Sequence, residues 1–249
     1  MESKFQLPTE TVELPSKGLL YPEDSPLAKG TLEMKYMTAK EEDILTNNNY
    51  IANGTVIDKL LQSLIITPKV DYNQLLIGDK NAIMVAARIL SYGKDYSFLY
   101  EDEEVTVDLS TLSSKDVDYS LFQQRQNEFK FKLPHTDNSI SFKLLTHGDE
   151  KSIERELAGL RKINKEVTAD VTTRLKYMIT EVNGNRDKKD IREFVDGYLL
   201  AKDARALREE YNKLNPDVDM KFTYTDRTGG EEDVDLPINL NFFWPDARP

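Results

Sequence analysis

Few residues of the chain could act as catalysts or metal ligands, and their spacing matches no catalytic or metal-binding pattern. The chain has two histidines, His135 and His147, and no cysteine. An imidazole can bind a metal or transfer a proton near neutral pH, but neither histidine has a second one at helical spacing. We interpret both as ordinary surface or turn residues. The lack of cysteine excludes disulfides, thiolate catalysis and cysteine-ligated zinc.

Other polar clusters have simpler interpretations than a site. The acidic run Glu101–Glu104 lacks the alternating ligands and closing glutamate of a calcium loop, so we interpret it as a solvated turn. The pair Gly229-Gly230 is typical of a turn, and the mixed charges of 186–190 are typical of a capped helix start. No nucleophile elbow, phosphate-binding loop or dinucleotide fingerprint is present. We therefore expect no enzyme activity, no cofactor and no metal.

The composition narrows the classes of partner. The 249 residues carry a formal net charge of −11, which repels phosphate backbones and argues against nucleic-acid binding. No apolar run approaches the roughly 18 residues that a membrane-spanning helix requires. The first residues show no signal-peptide pattern. We expect a soluble intracellular protein that acts by binding other proteins.

The first part of the chain predicts a hairpin strand followed by helices. Residues 31–37 alternate polar and apolar side chains, as a half-buried strand does. Thr38 and Glu41 have the spacing of a capping box and predict a helix after them. The asparagine run 47–49 is expected to end that helix. Two further helices follow, and Gly93 is the predicted C-cap of the second.

The middle of the chain changes from strands to helices. Alternating segments predict one small antiparallel sheet from strands at 96–100, 105–109, 129–133 and 140–144. Apolar residues then recur at steps of three or four: Ile153, Leu157, Leu160, Ile163, Val167, Val171, Leu175, Met178 and Val182. This stripe predicts one long helix, or two joined near Thr168. It forms core, lies in a partner's groove, or pairs with another copy to form a homo-oligomer.

The last part predicts two shorter helices, at about 187–200 and 203–214, and then strands to the end of the chain. The predicted fold class is α+β, with an N-terminal β-hairpin and helices, a small antiparallel sheet, a long helical segment and a C-terminal β-hairpin. The predicted regions are 1–93, 94–147, 148–216 and 217–249.

Two segments rich in large side chains are candidate partner-binding anchors. Large aromatic residues are favoured at the centres of protein interfaces. The alternative is that each segment packs onto its own domain, because aromatic residues are usually buried. The candidate residues are Leu19, Leu20, Tyr21, Phe242, Phe243 and Trp244.

Four sequence blocks add a resemblance to a known family. They are Leu14-Pro15-Ser16-Lys17-Gly18-Leu19-Leu20-Tyr21-Pro22, Met37-Thr38-Ala39-Lys40-Glu41-Glu42-Asp43-Ile44-Leu45, Asn53-Gly54-Thr55-Val56-Ile57-Asp58-Lys59-Leu60-Leu61 and Gly78-Asp79-Lys80-Asn81-Ala82. The chain resembles the T4-type bacteriophage baseplate hub assembly proteins, which include the hub assembly catalyst and hub subunits. The resemblance covers residues 10–100 well and continues more loosely to the C-terminal aromatic residues.

The resemblance implies an assembly factor that binds phage baseplate hub or tail proteins in the host cell cytoplasm, as a chaperone does. An alternative within the same family is a permanent structural subunit of the hub in the virion baseplate. A hub-associated hydrolase acting on cell-wall glycan is supported only by abundant carboxylates. Similar phage proteins can carry paired cysteines in the last hairpin, which suggests a zinc ribbon. Residues 220–236 have none, so we expect a metal-free hairpin.

Overall fold

Short antiparallel hairpins alternate with helices along the chain, as a computed structural model shows for residues 7–163, 168–225 and 229–244. The strands, in chain order, are β1 (Thr9–Glu13), β2 (Thr31–Lys35), β3 (Asp95–Tyr100), β4 (Glu103–Asp108), β5 (Phe129–Lys132), β6 (Ser139–Phe142), β7 (Ile179–Val182), β8 (Lys221–Thr225) and β9 (Glu231–Asp235). The α-helices, in chain order, are α1 (Ala39–Leu45), α2 (Asn48–Ala52), α3 (Val56–Leu64), α4 (Ile77–Tyr92), α5 (His147–Ile163), α6 (Asp170–Met178), α7 (Lys188–Gly197), α8 (Ala201–Leu214) and α9 (Leu240–Phe243). Helices and antiparallel hairpins confirm the α+β class.

The N-terminal hairpin forms as predicted. Strands β1 and β2 pair along their full length, and residues 14–30 connect them. Leu32 and Met34 of β2 are buried, which follows from the alternation in the sequence. The connecting residues form a long loop that returns across the start of α4.

Local capping signals set the helix ends that the sequence predicted. The backbone N–H and the hydroxyl of Thr38 both donate to Glu41 Oε2, at 3.0 and 2.6 Å, so α1 begins with a capping box. The amine of Lys35 lies 2.7 Å from the buried Glu41 carboxylate. Burial raises the pKa of Glu41, but the contacts with Lys35 and Thr38 outweigh it and hold the pKa below its ordinary value. Helix α4 ends at Gly93, whose φ of 83° requires glycine.

Two short helices depart from the prediction, and both begin at an asparagine. Asn47 accepts hydrogen bonds from the N–H groups of Asn49 and Tyr50 and caps α2, where a helix break was expected. Asn239 accepts from the N–H of Asn241 and caps α9, where a strand was expected. Asparagine both breaks a helix interior and starts a new helix, so its presence alone left these segments ambiguous. The predicted final residue of that strand, Pro245, lies outside the described residues.

The predicted single sheet at 94–147 is wrong, because its strands divide between two sheets. Among the residues that the structure describes, β3 and β4 pair only with each other, while β5 and β6 form a three-stranded sheet with β7. The aromatic face of β3 packs on the C-terminal hairpin, with ring centroids 5.2 Å apart for Phe98–Phe222 and 4.8 Å for Tyr100–Tyr224. Because the β3–β4 hairpin packs on the C-terminal hairpin, it does not pair with the β5–β6 hairpin.

The long apolar stripe forms two helices and a strand. Helix α5 ends at Ile163 and α6 begins at Asp170, so the two-helix alternative holds. The stripe's Val167 lies outside the described residues. Val182 is not helical, contrary to the prediction, since β7 pairs it with Ile140 of β6. The β-branched residues after Met178 favour a strand, and over four residues the two periods cannot be told apart.

A direct backbone contact joins distant parts of the chain at Gly78. A Cβ at this position would lie 1.9 Å from the carbonyl oxygen of Pro216, so only glycine fits. Beside it, the side-chain amide of Asn81 donates to Asp217 over 2.9 Å. The start of α4 is therefore fixed against the segment that leads into β8.

The hydrophobic core is continuous through the described ranges. It includes buried side chains from each of the four predicted regions, for example Leu60, Leu109, Leu175 and Phe242. The regional boundaries themselves stay a prediction. No helix in the described ranges is long and apolar enough to cross a bilayer.

Candidate functional site

A buried carboxylate brings together two of the sequence blocks on which the family resemblance rests. Asp79, in the first turn of α4, is fully buried. Its oxygens accept hydrogen bonds from the N–H of Ser16 at 2.9 Å, the hydroxyl of Ser16 at 2.6 Å and the hydroxyl of Tyr21 at 2.5 Å. The Tyr21 oxygen in turn accepts from the N–H of Leu76 at 2.9 Å. The 14–22 loop is thereby fixed to the N-terminus of α4.

The environment of this cluster shifts both acidic groups in the same direction. Burial raises the pKa of Asp79, although hydrogen bonds from Ser16 and Tyr21 act against it. Burial and the adjacent Asp79 carboxyl raise the pKa of Tyr21 well above its ordinary value. The phenol thus keeps its proton and serves as a donor, as a structural network requires.

The outer side of the same loop is also held. The N–H of Arg125 donates to the carbonyl of Leu19 over 2.6 Å, and its guanidinium donates to the carbonyl of Gly18. The hydroxyl of Tyr119 donates to the carbonyl of Pro15 at 2.8 Å, and the ammonium of Lys17 lies 3.9 Å from the centroid of the Tyr119 ring. Contacts on both sides indicate a structural role for the loop.

This packing decides what the first predicted anchor can contact. Leu20 and Tyr21 are buried within the chain itself, whereas Leu19 is partly exposed. In this conformation the two buried side chains cannot reach a partner. Only Leu19 of the predicted segment is accessible, and its contact with a partner stays a prediction.

The second predicted anchor is placed in a similar way. Phe242 and Phe243 are fully buried, and Phe242 packs edge-on against Tyr96 with centroids 4.9 Å apart. The hydroxyl of Tyr96 donates to the carbonyl of Pro237 at 2.8 Å and so fixes the segment that leads to α9. Trp244 is half-buried against the same core. Phe242 and Phe243 therefore pack onto the chain's own core, as the alternative interpretation expected.

A charged cluster that the sequence analysis missed joins α3, α4 and α5. His147 is buried, contrary to the expected surface position, while His135 is exposed. The Nε2 atom of His147 lies 3.0 Å from a carboxylate oxygen of Asp58, and its Nδ1 atom lies 3.2 Å from the amine of Lys80. The amine also donates to Asp58 at 3.1 Å. No spacing of residues indicates this cluster, because its three residues lie on three separate elements.

The electrostatics of this cluster favour an ionised Asp58. Burial opposes ionisation, but the contacts with His147 and Lys80 outweigh it and hold the pKa of Asp58 at about 2. Tyr72 donates its hydroxyl to the same carboxylate at 3.2 Å, and burial together with that negative charge raises the pKa of Tyr72. The cluster borders a cleft of about 560 Å³. Asp58 accepts hydrogen bonds from Lys80 and Tyr72, whereas the Nε2 atom of His147 lies near the carboxylate without forming a hydrogen bond. The arrangement is that of a structural ion network.

Some exposed large apolar side chains belong to the predicted stripe, for example Ile163 and Val171, and others lie outside every segment predicted to bind a partner. Tyr198 is 65% exposed and Leu200 is 50% exposed, and the two flank the junction between α7 and α8. We call Tyr198 and Leu200 the α7–α8 corner. A sequence signal was present, since the run Gly197-Tyr198-Leu199-Leu200 interrupts two amphipathic patterns with consecutive apolar residues.

Comparisons with known proteins identify the family. A family model described as T4 bacteriophage base plate protein matches residues 8–244, which is nearly the whole chain. No curated protein and no solved structure matches the chain significantly. The matched range contains the loop, the Asp79 cluster and the α7–α8 corner. The chain belongs to the family of T4 bacteriophage base plate proteins.

Proposed function

We propose that this protein is a baseplate hub assembly factor that binds hub or tail components while the phage tail is built in the host cytoplasm. The observation that carries the proposal is the family match over residues 8–244. The role is chaperone-like, and no catalytic step is part of it. The family relation supports baseplate partners, and the assembly role is the finer step that we propose.

The accessible surface supports a protein-binding role. The α7–α8 corner presents a tyrosine and a leucine to solvent, and exposed aromatic side chains of this kind often form the centre of an interface. The predicted anchor residues Leu19 and Trp244 add partly exposed apolar surface. The net charge of −11 favours partners with basic surfaces.

A permanent structural subunit of the hub is the second candidate. The description of the matching family names the base plate itself, which favours a component of the finished particle. The continuous core and the buried Asp79 network suit a rigid subunit as well as an assembly factor.

The two roles differ in where the protein is found. We would tag the protein, isolate it from infected cells with an antibody against the tag, and identify the phage proteins that co-purify. The same antibody would then be used to detect the protein in purified virions. Co-purification with hub or tail components and absence from virions supports the assembly factor. A fixed stoichiometry in virions supports the structural subunit. Co-purification with no baseplate component contradicts both.

A further inference from the structure

Two strands of the described structure have open edges that border one groove. Within the described residues, β4 has only β3 as a neighbouring strand and β8 has only β9. Side chains of β4 and β8 line a groove of about 380 Å³. An open strand edge presents backbone donors and acceptors to which an additional strand can pair.

The hydrogen-bond pattern shows which backbone groups point into the groove. The N–H of Leu109 donates to the carbonyl of Lys94 at 2.8 Å, which fixes the alternation of bonded pairs along β3 and β4. By this alternation the N–H and C=O of Thr106 point away from β3. The bond from the N–H of Leu236 to the carbonyl of Met220 fixes β8 in the same way, and Thr223 points away from β9.

The groove is closed at one end and open at the other. The N–H of Asp219 donates to the carbonyl of Ser113, and the N–H of Lys115 donates to the carbonyl of Asp217, both at 2.8 Å. Beyond this junction β4 and β8 do not pair with each other in the described residues, and Thr106 lies on one wall of the groove between them. The groove therefore has the form of a fork between two strand edges, a shape that accepts an extended segment.

The charge of the surrounding hairpins identifies the chemistry of the occupant. Residues 95–108 contain six acidic side chains and no basic one, and β8 and β9 together contain four acidic side chains and one basic one, Lys221. Lys221 lines the groove together with the acidic Asp219, so the negative charge comes from the hairpins around the groove. The nearby Lys94 and Lys115 are already paired with Asp108 and Asp217. A second copy of this chain would bring the same negative charge, so self-association at this surface is unfavourable. A basic segment is attracted to it.

We propose that the groove between β4 and β8 binds an extended segment of a partner protein that carries lysine or arginine, and that this segment pairs with the Thr106 edge of β4. Backbone pairing supplies affinity, and the acidic hairpins select the basic side chains. The inference rests on the proposed function, since it assigns a docking surface to a partner of this protein.

The test uses labelled hexapeptides and the full-length protein. One peptide alternates valine and lysine, a second alternates proline and lysine with equal charge, and a third alternates valine and glutamate. We expect only the valine–lysine peptide to bind, with affinity falling as salt rises. Thr106→Pro removes the outward N–H and should weaken binding by about tenfold or more, whereas the matched control Thr106→Val keeps that N–H and the affinity.

A charge variant covers the case in which Thr106→Pro does not fold. Substitution of Glu101, Asp102 and Glu104 by lysine should abolish binding of the valine–lysine peptide. Equal binding of the proline–lysine peptide would show attraction by charge alone and would overturn the inference. Failure of the valine–lysine peptide to bind would also overturn it. So would self-association of the protein through the groove, measured by analytical ultracentrifugation. Failure here with successful co-purification of baseplate components rejects the groove and leaves the proposed function standing.

Discussion

Tyr21 donates its hydroxyl hydrogen to Asp79 over 2.5 Å, although 58 positions separate the two residues. The bond closes the N-terminal loop onto α4 and leaves neither group exposed. Two sequence blocks that resemble the same family thus meet at one buried carboxylate. Both blocks therefore stabilise the contact between the N-terminal loop and α4.

Tyr21→Phe should destabilise the protein by about 2 to 3 kcal/mol, because the N–H of Leu76 and one oxygen of Asp79 lose a buried partner. Urea denaturation monitored by circular dichroism measures the free energy of unfolding. Tyr36→Phe is the matched control, and we expect a change within about 0.5 kcal/mol because Tyr36 is only partly buried. Equal effects of the two substitutions would contradict a special role for the Asp79 network.

Asp58 should make folding sensitive to acid. Its pKa falls from 3.8 to about 2 on folding, so its stabilisation is fully present above the unfolded pKa and is lost as the pH falls through the folded pKa. The shift corresponds to roughly 2 kcal/mol. The difference in unfolding free energy between wild type and Asp58→Asn should therefore narrow between about pH 4 and pH 2.

The control for this prediction is Asp43→Asn, since Asp43 is exposed on α1. Its difference from wild type should stay small across the same pH range. A constant difference for Asp58→Asn down to pH 2 would show that the contacts with His147 and Lys80 do not hold the carboxylate ionised.

Gly78→Ala should destabilise the protein by about 3 kcal/mol or more, because the added methyl group meets the backbone of Pro216. The matched control is Gly159→Ala in α5, where a Cβ meets nothing within 4 Å. Alanine there should stabilise the helix by about 0.5 to 1 kcal/mol. Thermal unfolding compares the two, and a tolerated Gly78→Ala would mean that α4 and the 216–217 segment separate easily.

The α7–α8 corner and the buried C-terminal aromatics should respond to substitution in opposite ways. Tyr198→Ser with Leu200→Ser should leave stability within about 1 kcal/mol and should reduce co-purification of phage proteins. Phe242→Ala should cost about 3 to 5 kcal/mol, because it empties a fully buried site. Leu99→Ser, another exposed position, controls for a general loss of surface hydrophobicity. Unchanged co-purification by the corner variant would exclude the corner as an interface.

Elements with a local cause were predictable from the sequence. The capping box of Thr38 and Glu41 and the C-cap at Gly93 need only neighbouring residues, and α1 begins and α4 ends where these signals indicate. Strand β7 was missed, because its four residues continue an apolar stripe and only pairing with β6 makes them extended. Short segments follow tertiary context more than local preference.

The candidate site was less predictable than the fold. Leu20, Tyr21, Phe242 and Phe243 were singled out for size, and size favours a core position as strongly as an interface. The partners of Asp79 and His147 come from other elements, so no spacing in the sequence indicates them. Exposure at Tyr198 depends on how α7 meets α8, which is a property of packing.

The contact between Gly78 and Pro216 also constrains the order of events during synthesis. Pro216 leaves the ribosome long after Gly78, so this part of α4 remains uncovered while more than half of the chain is being translated. Contacts between residues so far apart in sequence slow folding, because the intervening chain must first be ordered. The core around α4 is therefore completed only after the 216–217 segment has been translated, and until then the chain is partly folded with an open apolar face.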